Sequence, residues 1–463
     1  MNPVQQLKDQ LSQFSASLLD TGPSQAAGST LSRLVALAGM DVRDGQAADE
    51  LGFFSKKYDI SGKLFASYDA QGRKNGEARL GEAGLQLFAG LLYLRVLNAI
   101  DQNTSGIDRA KYVNVCWKIF GTVELPDFLD GARDTMAQLQ NDLFDGLPDP
   151  DLNDKARQPN SVRDIPAVDW DEFRTLPVDV LFYEGPIARA YLEVLYSLRC
   201  KPRKIVHLIA ANDIVTKKKV GSLLPSFLRS KYAAAVQSRK IHHWPQFLRR
   251  SQKGLIDAVF ARLGEALNID QGTLSGACDL KPLDHYCDDV VPLPITSLKD
   301  AGLSDYIKAQ GARTYLFTGG GIVPQSLFDI PGVQYLHIHP GYLPDIRGAD
   351  CLLWSTLLAG RPSATCFFMN AGIDTGDVIN AAFLPDVTLP SAAADLDQKM
   401  VYRLVYGFVD PWVRAVVLRD TLTATGFLEN LSSVPQKMED GTTFHFMHDT
   451  LSADVIARRL IAV

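Results

Sequence analysis

The stretch HIHPGYLPDIRGAD, residues 337–350, sets two histidines two positions apart, breaks the backbone with Pro340-Gly341 and breaks it again at Pro344. In a β-strand, residues i and i+2 share a face. If VQYLHIHP (333–340) is a strand ended by Pro340, the imidazoles of His337 and His339 point the same way at a strand end. Two readings stand at this point. The histidines are satisfied polar groups closing a strand, or they line the crevice at the carboxyl ends of a parallel sheet, where open α/β folds take their ligands. An HxH pair also raises zinc, but a third ligand is needed and neither an EH nor a CxxC companion occurs, so no metal is expected.

Working outward, VDVLFYEG (178–185) is a short apolar run ending in a glycine turn, and IARAYLEVLYSL (187–198) after it has helical spacing. KIVHLIAA (204–211) is a second strand candidate. Strand, glycine turn, helix, strand is the βαβ signature of a parallel sheet. ARTYLFTGGG (312–321) is a later strand, and ATCFFMNAGIDTGDVINAAFL (364–384) reads as two strands around a loop. SAAADLDQKMVYRLVYGFVDPWVRAVVL (391–418) reads as a long amphipathic helix bent at Pro411. GTTFHFMHDTL (441–451) reads as a strand or hairpin before a short helix.

Upstream the texture differs. GEAGLQLFAGLLYLRVLNAID (81–101) and LDGARDTMAQLQNDLF (129–144) carry apolar residues at helical spacing. DGLPDPDLNDKARQPNSVRD (145–164), rich in Pro, Asp and Asn, reads as a linker or long loop. The expected division is a helical domain over 1–160, an α/β domain over 176–415 and a short extension over 416–463.

The 463 residues are too many for one ordinary core. Hydrophobic residues make up 46% and charged residues 22%, the balance of a soluble globular protein. A net charge of −6 argues against a nucleic-acid surface, which needs a basic face. The local basic runs VTKKKVGS (215–222) and FLRRSQKG (247–254) read as solvated loops or helix ends. The six cysteines lack CxxC spacing, which fits reduced thiols in a cytoplasmic enzyme. The first twenty residues lack the apolar core of a signal peptide, and no run approaches the roughly 18 apolar residues a membrane helix needs.

Two further stretches sit at strand ends. LFTGGGIVP (316–324) runs into Gly319, Gly320 and Gly321, which permit positive φ and close approach of a ligand, yet it has neither P-loop nor dinucleotide spacing. NAGIDTGDVI (370–379) holds Asp374 between Gly372 and Gly376, either as an Asx-turn residue or as a carboxylate orienting a histidine.

Together these elements, in this order, resemble the folate-dependent formyltransferase family, whose hallmark is Asn-x-His-Pro-(Ser/Gly)-x-Leu-Pro-x-x-Arg-Gly followed by an aspartate in Asp-Thr-Gly. The matching residues are His339, Pro340, Gly341, Leu343, Pro344, Arg347 and Gly348, with Asp374 lying 35 positions after His339. The resemblance covers 177–415, about half the chain. One departure stands out: the family asparagine is replaced by His337.

The resemblance implies a Rossmann-like α/β domain beside the helical one. It also implies transfer of a formyl group from 10-formyltetrahydrofolate to the amine of a small-molecule acceptor, an amino sugar or biosynthetic intermediate. Such transfer passes through a tetrahedral oxyanion and needs a donor to that oxygen, a base for the amine and an acid for the departing nitrogen. Carried over, His339 is the acid/base or oxyanion donor, Asp374 its partner and His337 the oxyanion donor in place of asparagine. The pterin pocket falls on Phe317, Gly319, Gly320, Gly321, Ile322 and Val323, and on Ala371, Gly372 and Ile373. The residues after 415 are too few for a tRNA-binding barrel, and the tail with Gln436 and TTFHF looks more like the short extension of the sugar-directed members. Residues 1–160 match nothing nameable and are left acceptor selection, homodimerisation, carrier-protein binding or plain packing. His337 also leaves open a formyl-folate hydrolase, a transferase using another carbonyl donor, or a folate-binding module without catalysis.

Overall fold

The computed structural model describes residues 3–20, 30–40, 45–61, 81–101, 105–145, 150–157 and 171–461. The chain divides into two compact units. One comprises Met1–Asn153, Leu357–Ala359 and Phe444–Val455, and the other Asp154–Thr356, Gly360–Thr443 and Ile456–Val463.

The first unit is helical. Its helices Pro3–Asp20, Thr30–Ala38, Gly45–Ser61, Gly81–Asp101 and Gly106–Phe120 bury Leu11, Leu34, Phe54, Phe88, Leu91 and Val113 against one another. Trp117 Nε1–H donates to Gln140 at 2.6 Å, and Gln140 donates to Asp454 at 2.8 Å. That chain ties the helix Asp449–Val455 into the unit. Within the stretch expected to be a linker, Pro150–Arg157 is a helix. Proline tolerates the first helical turn, and Asp151 near the start with Lys155 and Arg157 near the end suits the helix dipole. Residues 146–149 and 158–164 of that stretch lie outside the described residues.

The second unit is built on one sheet. Its strands are β1 (Arg174–Tyr183), β2 (Cys200–Ala210), β3 (Val290–Ile295), β4 (Arg313–Phe317) and β5 (Val333–His339). They continue with β7 (Ser363–Phe368) and β8 (Val378–Phe383); the short β6 (Ile346–Gly348), between β5 and β7 in the chain, lies outside this sheet. The spatial order is β3-β2-β1-β4-β5-β7-β8. From β3 through β5 all pairings are parallel. The chain leaves β1 toward β3 and returns to add β4 on β1's other side, so the strand order reverses between β1 and β4, where doubly wound sheets open a crevice. This is the expected Rossmann-like α/β class. The sheet is mixed, however: β7 runs antiparallel to β5, and β8 runs antiparallel to β7, to which the short 369–377 loop turns the chain straight back.

Two further differences have physical causes. The strand β3 reads VVPLPI, and its two prolines disguise it; as the edge strand it can spare the N–H groups they lack. The long helix expected over 391–418 is a 3-10 turn at Ser391–Asp395, a helix Gln398–Leu404, a wide π turn Val405–Val409 and a helix Asp410–Ala424. The irregularity precedes Pro411, which sits harmlessly in the first turn of the last segment. One face of the sheet packs Leu181, Val206, Leu208, Tyr315, Phe317 and Tyr335 into a common core. No described helix is long and apolar enough to cross a membrane.

Candidate active site

The strand β5 ends at His339, where the next residue is proline and the ladder cannot continue. Thr365 and Phe367 of β7 stand opposite His339 and His337. Beyond Pro340 the chain doubles back so that Ile346 comes over the histidine, and His339 Nε2 lies 3.0 Å from the Ile346 carbonyl. A carbonyl only accepts, so Nε2 carries the proton and Nδ1 is left with its lone pair when the ring is neutral. Gly341 makes this possible: a Cβ there would fall 2.7 Å from His339 Nε2 and collide with the Ile346 oxygen.

His339 Nδ1 faces Asp374, with Oδ2 at 3.4 Å, within ion-pair range and longer than a good hydrogen bond. The carboxylate is fixed by the Gly348 N–H, which donates to the same oxygen at 3.0 Å, and Gln436 donates to the Asp374 carbonyl at 3.0 Å. Asp374 adopts φ 52°, and Gly376 beside it lies so close to the Phe368 carbonyl that any side chain would clash. The motifs LPxxRG and DTG therefore meet because one supplies the amide that holds the other's carboxylate. The His339 side chain is only 3% exposed and that of Asp374 17%, so the carboxylate is the solvent-facing end of the pair.

Burial drives the His339 pKa below its ordinary value, while Asp374 pulls it up and Arg414 pushes it further down. Arg414 lies behind β5, donating to the Ile338 carbonyl at 3.2 Å and to Asp410 at 2.9 Å. Asp410 is itself buried, which raises its pKa. Neither residue was singled out in the sequence; the available signal was an acid and a base four apart in an otherwise apolar helix, DPWVRAVVL.

His337 points from the same strand face but is anchored by its other nitrogen, donating Nδ1–H to the Phe317 carbonyl at 2.9 Å. Phe317 and Phe367 flank the ring at 5.8 and 6.0 Å between centroids. Burial lowers its pKa to about 4. Near neutral pH the ring is therefore uncharged, and Nε2, the nitrogen left over, offers a lone pair where an asparagine amide would offer a donor.

Two cavities share strands and loops with these groups, though His337, His339 and Asp374 line neither. One of about 450 Å³ is walled by Phe328, Val333, Tyr335, Phe368 and Met369, with Gln325, Gln334 and Asn370 as polar points, and it takes in Ala371 and Gly372 from the loop leading to Asp374. The other, about 470 Å³, lies at the carboxyl ends of β1 to β4 and is lined by Phe317, Gly319 and Gly320 among others. The residues expected to form one pterin pocket are thus divided between two. Gly321, Ile322, Val323 and Ile373 line neither: Val323 is buried in the sheet core, and Ile322 and Ile373 are exposed at 76% and 47%. Among the described residues no group of three or more His, Cys, Asp or Glu could hold a metal ion.

No family model matches the chain. In sequence it is similar to curated methionyl-tRNA formyltransferases. That of Roseobacter denitrificans is 29% identical over 163 residues, 35% of this chain and 48% of the relative. That of Geobacter sulfurreducens is 43% identical over 68 residues, 14% of this chain and 21% of the relative. The chain spans about half the length of these relatives or less. Among solved structures, a 4-N formyltransferase from Francisella tularensis aligns with 12% identity and a TM-score of 0.30, covering 62% of this chain and 87% of its own. The formyltransferase PseJ from Anoxybacillus kamchatkensis, solved with a UDP-linked formamido sugar and tetrahydrofolate, aligns with 17% identity and a TM-score of 0.23, covering 35% and 76%.

Proposed function

We propose that this chain, similar over part of its length to curated methionyl-tRNA formyltransferases, transfers a formyl group from 10-formyltetrahydrofolate to the amine of a small-molecule acceptor. The observation that carries the reading is the His339–Asp374 pair at the end of β5, held by the Ile346 carbonyl on one side and the Gly348 amide on the other. The pterin would occupy the 450 Å³ cavity, whose apolar walls suit a flat heterocycle and whose amide side chains and loop backbone suit its donor and acceptor edge. The acceptor would approach from the cavity lined by Phe317 and the glycine loop.

In the reaction the amine nitrogen attacks the formyl carbon, the C–O bond opens to an oxyanion, and the bond to the folate nitrogen then breaks. The proton lost by the amine would pass through the solvent-facing Asp374 to His339 Nδ1, and the resulting imidazolium would lie against a carboxylate already in place. From there it would return to the departing folate nitrogen. His337 would serve the oxyanion only after Nε2 accepts a proton, since its other N–H is committed to Phe317.

The lone pair on His337 favours a second reading. A neutral acceptor beside a bound formyl group could instead activate water, releasing formate and tetrahydrofolate. One experiment separates the two: incubate the chain with 10-formyltetrahydrofolate, with and without a panel of amino sugars and other amines, and follow tetrahydrofolate and formate together. Transfer gives amine-dependent tetrahydrofolate without formate, and hydrolysis gives both without amine. No turnover in either arm, with folate still bound, would leave a binding module and overturn the proposal. For the helical unit there remain selection of the acceptor, binding of a carrier protein that bears it, or a homodimer contact, the last read directly by light scattering.

A further inference from the structure

The 470 Å³ cavity has a charge pattern that transfer of a formyl group does not require. Its lining includes Asn212, Asp213 and Lys217 on one side and Gly319 and Gly320 on the other. Asp213 is already neutralised. It accepts the N–H groups of Val215 and Thr216 at 2.9 and 2.8 Å, and the Lys240 ammonium pairs with it and holds its carboxyl well below the usual carboxylate range. Lys217 has no carboxylate partner among the described residues: its ammonium donates to the Ile214 carbonyl at 2.7 Å, a contact that cancels no charge.

Lys218 and Lys219 follow on the same exposed arm, and the arm has a defined shape. Asn212 and Lys219 bridge across it, Asp213 N–H donates to the Lys218 carbonyl at 2.7 Å, and Lys217 N–H donates to the Asp213 carbonyl at 2.9 Å. Opposite, the N–H groups of Gly319 and Gly320 meet no acceptor among the described residues. Backbone N–H groups in a glycine turn that lines a cavity, with the Lys217 ammonium also in its lining and Lys218 and Lys219 following just outside it, are the elements from which anion sites are made.

We propose that this cavity binds an anionic oxygen group, a phosphate or carboxylate, between the Lys217–Lys219 arm and the Gly319–Gly320 amides. Which molecule brings the anion rests on the formyl-transfer reading: the acceptor through a phosphate, or the folate through its glutamate tail. The anion site itself stands on the cavity and its charges alone.

The test uses calorimetry on the full chain, with inorganic pyrophosphate as probe. We expect measurable binding that weakens with salt and falls at least tenfold in K217A/K218A/K219A, while K217R retains it. Pyrophosphate that fails to bind at millimolar concentration, or binds the triple variant as well as the natural chain, overturns the proposal. Monoglutamyl and pentaglutamyl 5-formyltetrahydrofolate distinguish the sources. Tighter pentaglutamate binding that is lost with the lysines and competes with pyrophosphate assigns the site to the folate tail. Equal folate affinities with pyrophosphate still bound assign it to the acceptor. Neither arm requires turnover, so loss of anion binding and loss of formyl transfer are read separately.

Discussion

Replacing Asp374 by asparagine removes one negative charge and almost no volume. The Gly348 N–H can still donate to an amide oxygen, so the loop need not move. What goes is the attraction between the carboxylate and an imidazolium at His339. At the observed 3.4 Å and an effective dielectric of about 20, that attraction is about 5 kcal/mol, equivalent to between three and four decades in rate. The 17% exposure of the carboxylate lets water screen part of it, which sets the lower end near the hundredfold typical of a general acid–base group. D374N should therefore lose about 10²- to 10⁴-fold in kcat/KM for amine-dependent tetrahydrofolate formation, with an unchanged melting profile and nearly unchanged folate affinity. The fall should appear in kcat, because the charge acts once the proton has moved. A folded D374N within about threefold of the natural rate would refute the reasoning, and a loss confined to KM would make Asp374 a binding group instead.

Removing the cation behind β5 should act in the opposite electrostatic sense. In R414M the His339 ring gains basicity, so the acid limb of kcat/KM moves to higher pH, while R414K leaves it in place; a folded R414M with an unmoved limb, tracked with imidazole NMR, would show that the guanidinium only packs. H337N restores an amide donor at the strand end, and the ratio of formyl transferred to formate released should rise; an unchanged ratio would mean that position 337 does not face the reacting carbonyl. G341A places a methyl against the Ile346 oxygen and the His339 ring and should cost about 1–3 kcal/mol in urea unfolding, together with most of the activity. The half-buried His207, its pKa lowered by desolvation to about 4, binds a proton more weakly folded than unfolded. Stability is therefore lost as pH falls from about 6.5 toward 4, by up to roughly 3 kcal/mol for this residue; H207L should flatten that part of the stability–pH curve, and a curve of unchanged slope would count against it.

The strand carrying both histidines could be read from local pattern alone, because an apolar run, alternate placement and a terminating proline all act within eight residues. The strand β3 could not, since its prolines are tolerable only at a sheet edge and edge position is a property of the whole topology. Arg414 was hidden for a related reason. Its role depends on the helix Asp410–Ala424 crossing behind Ile338, and a buried cation in a helix looks the same in sequence as one turned to solvent. The approach of Asp374 to His339 was visible only through resemblance to other proteins. Nothing in DTGD states that its carboxylate will find the amide of Gly348.

Least legible was the proton inventory of the two histidines, although their positions were plain. They leave the same face of one strand, yet the Phe317 carbonyl claims Nδ1–H of His337 while the Ile346 carbonyl claims Nε2–H of His339. The two nitrogens left over are both lone pairs, and beside them stands a carboxylate. A site so furnished begins the reaction as an acceptor of protons with no spare side-chain donor. Where an asparagine would bring a permanent N–H to the oxyanion, here that N–H exists only after a proton has been taken. Under the proposed transfer, the acid that releases the folate nitrogen would then be charged by the amine's own proton, coupling attack and departure through the pair. Replacing asparagine by histidine thus changes the order in which the site can work more than its shape. An acceptor that arrives as a neutral amine still sheds one proton from its nitrogen once it has attacked, and that single proton, held by the pair, is the one the departing nitrogen would need.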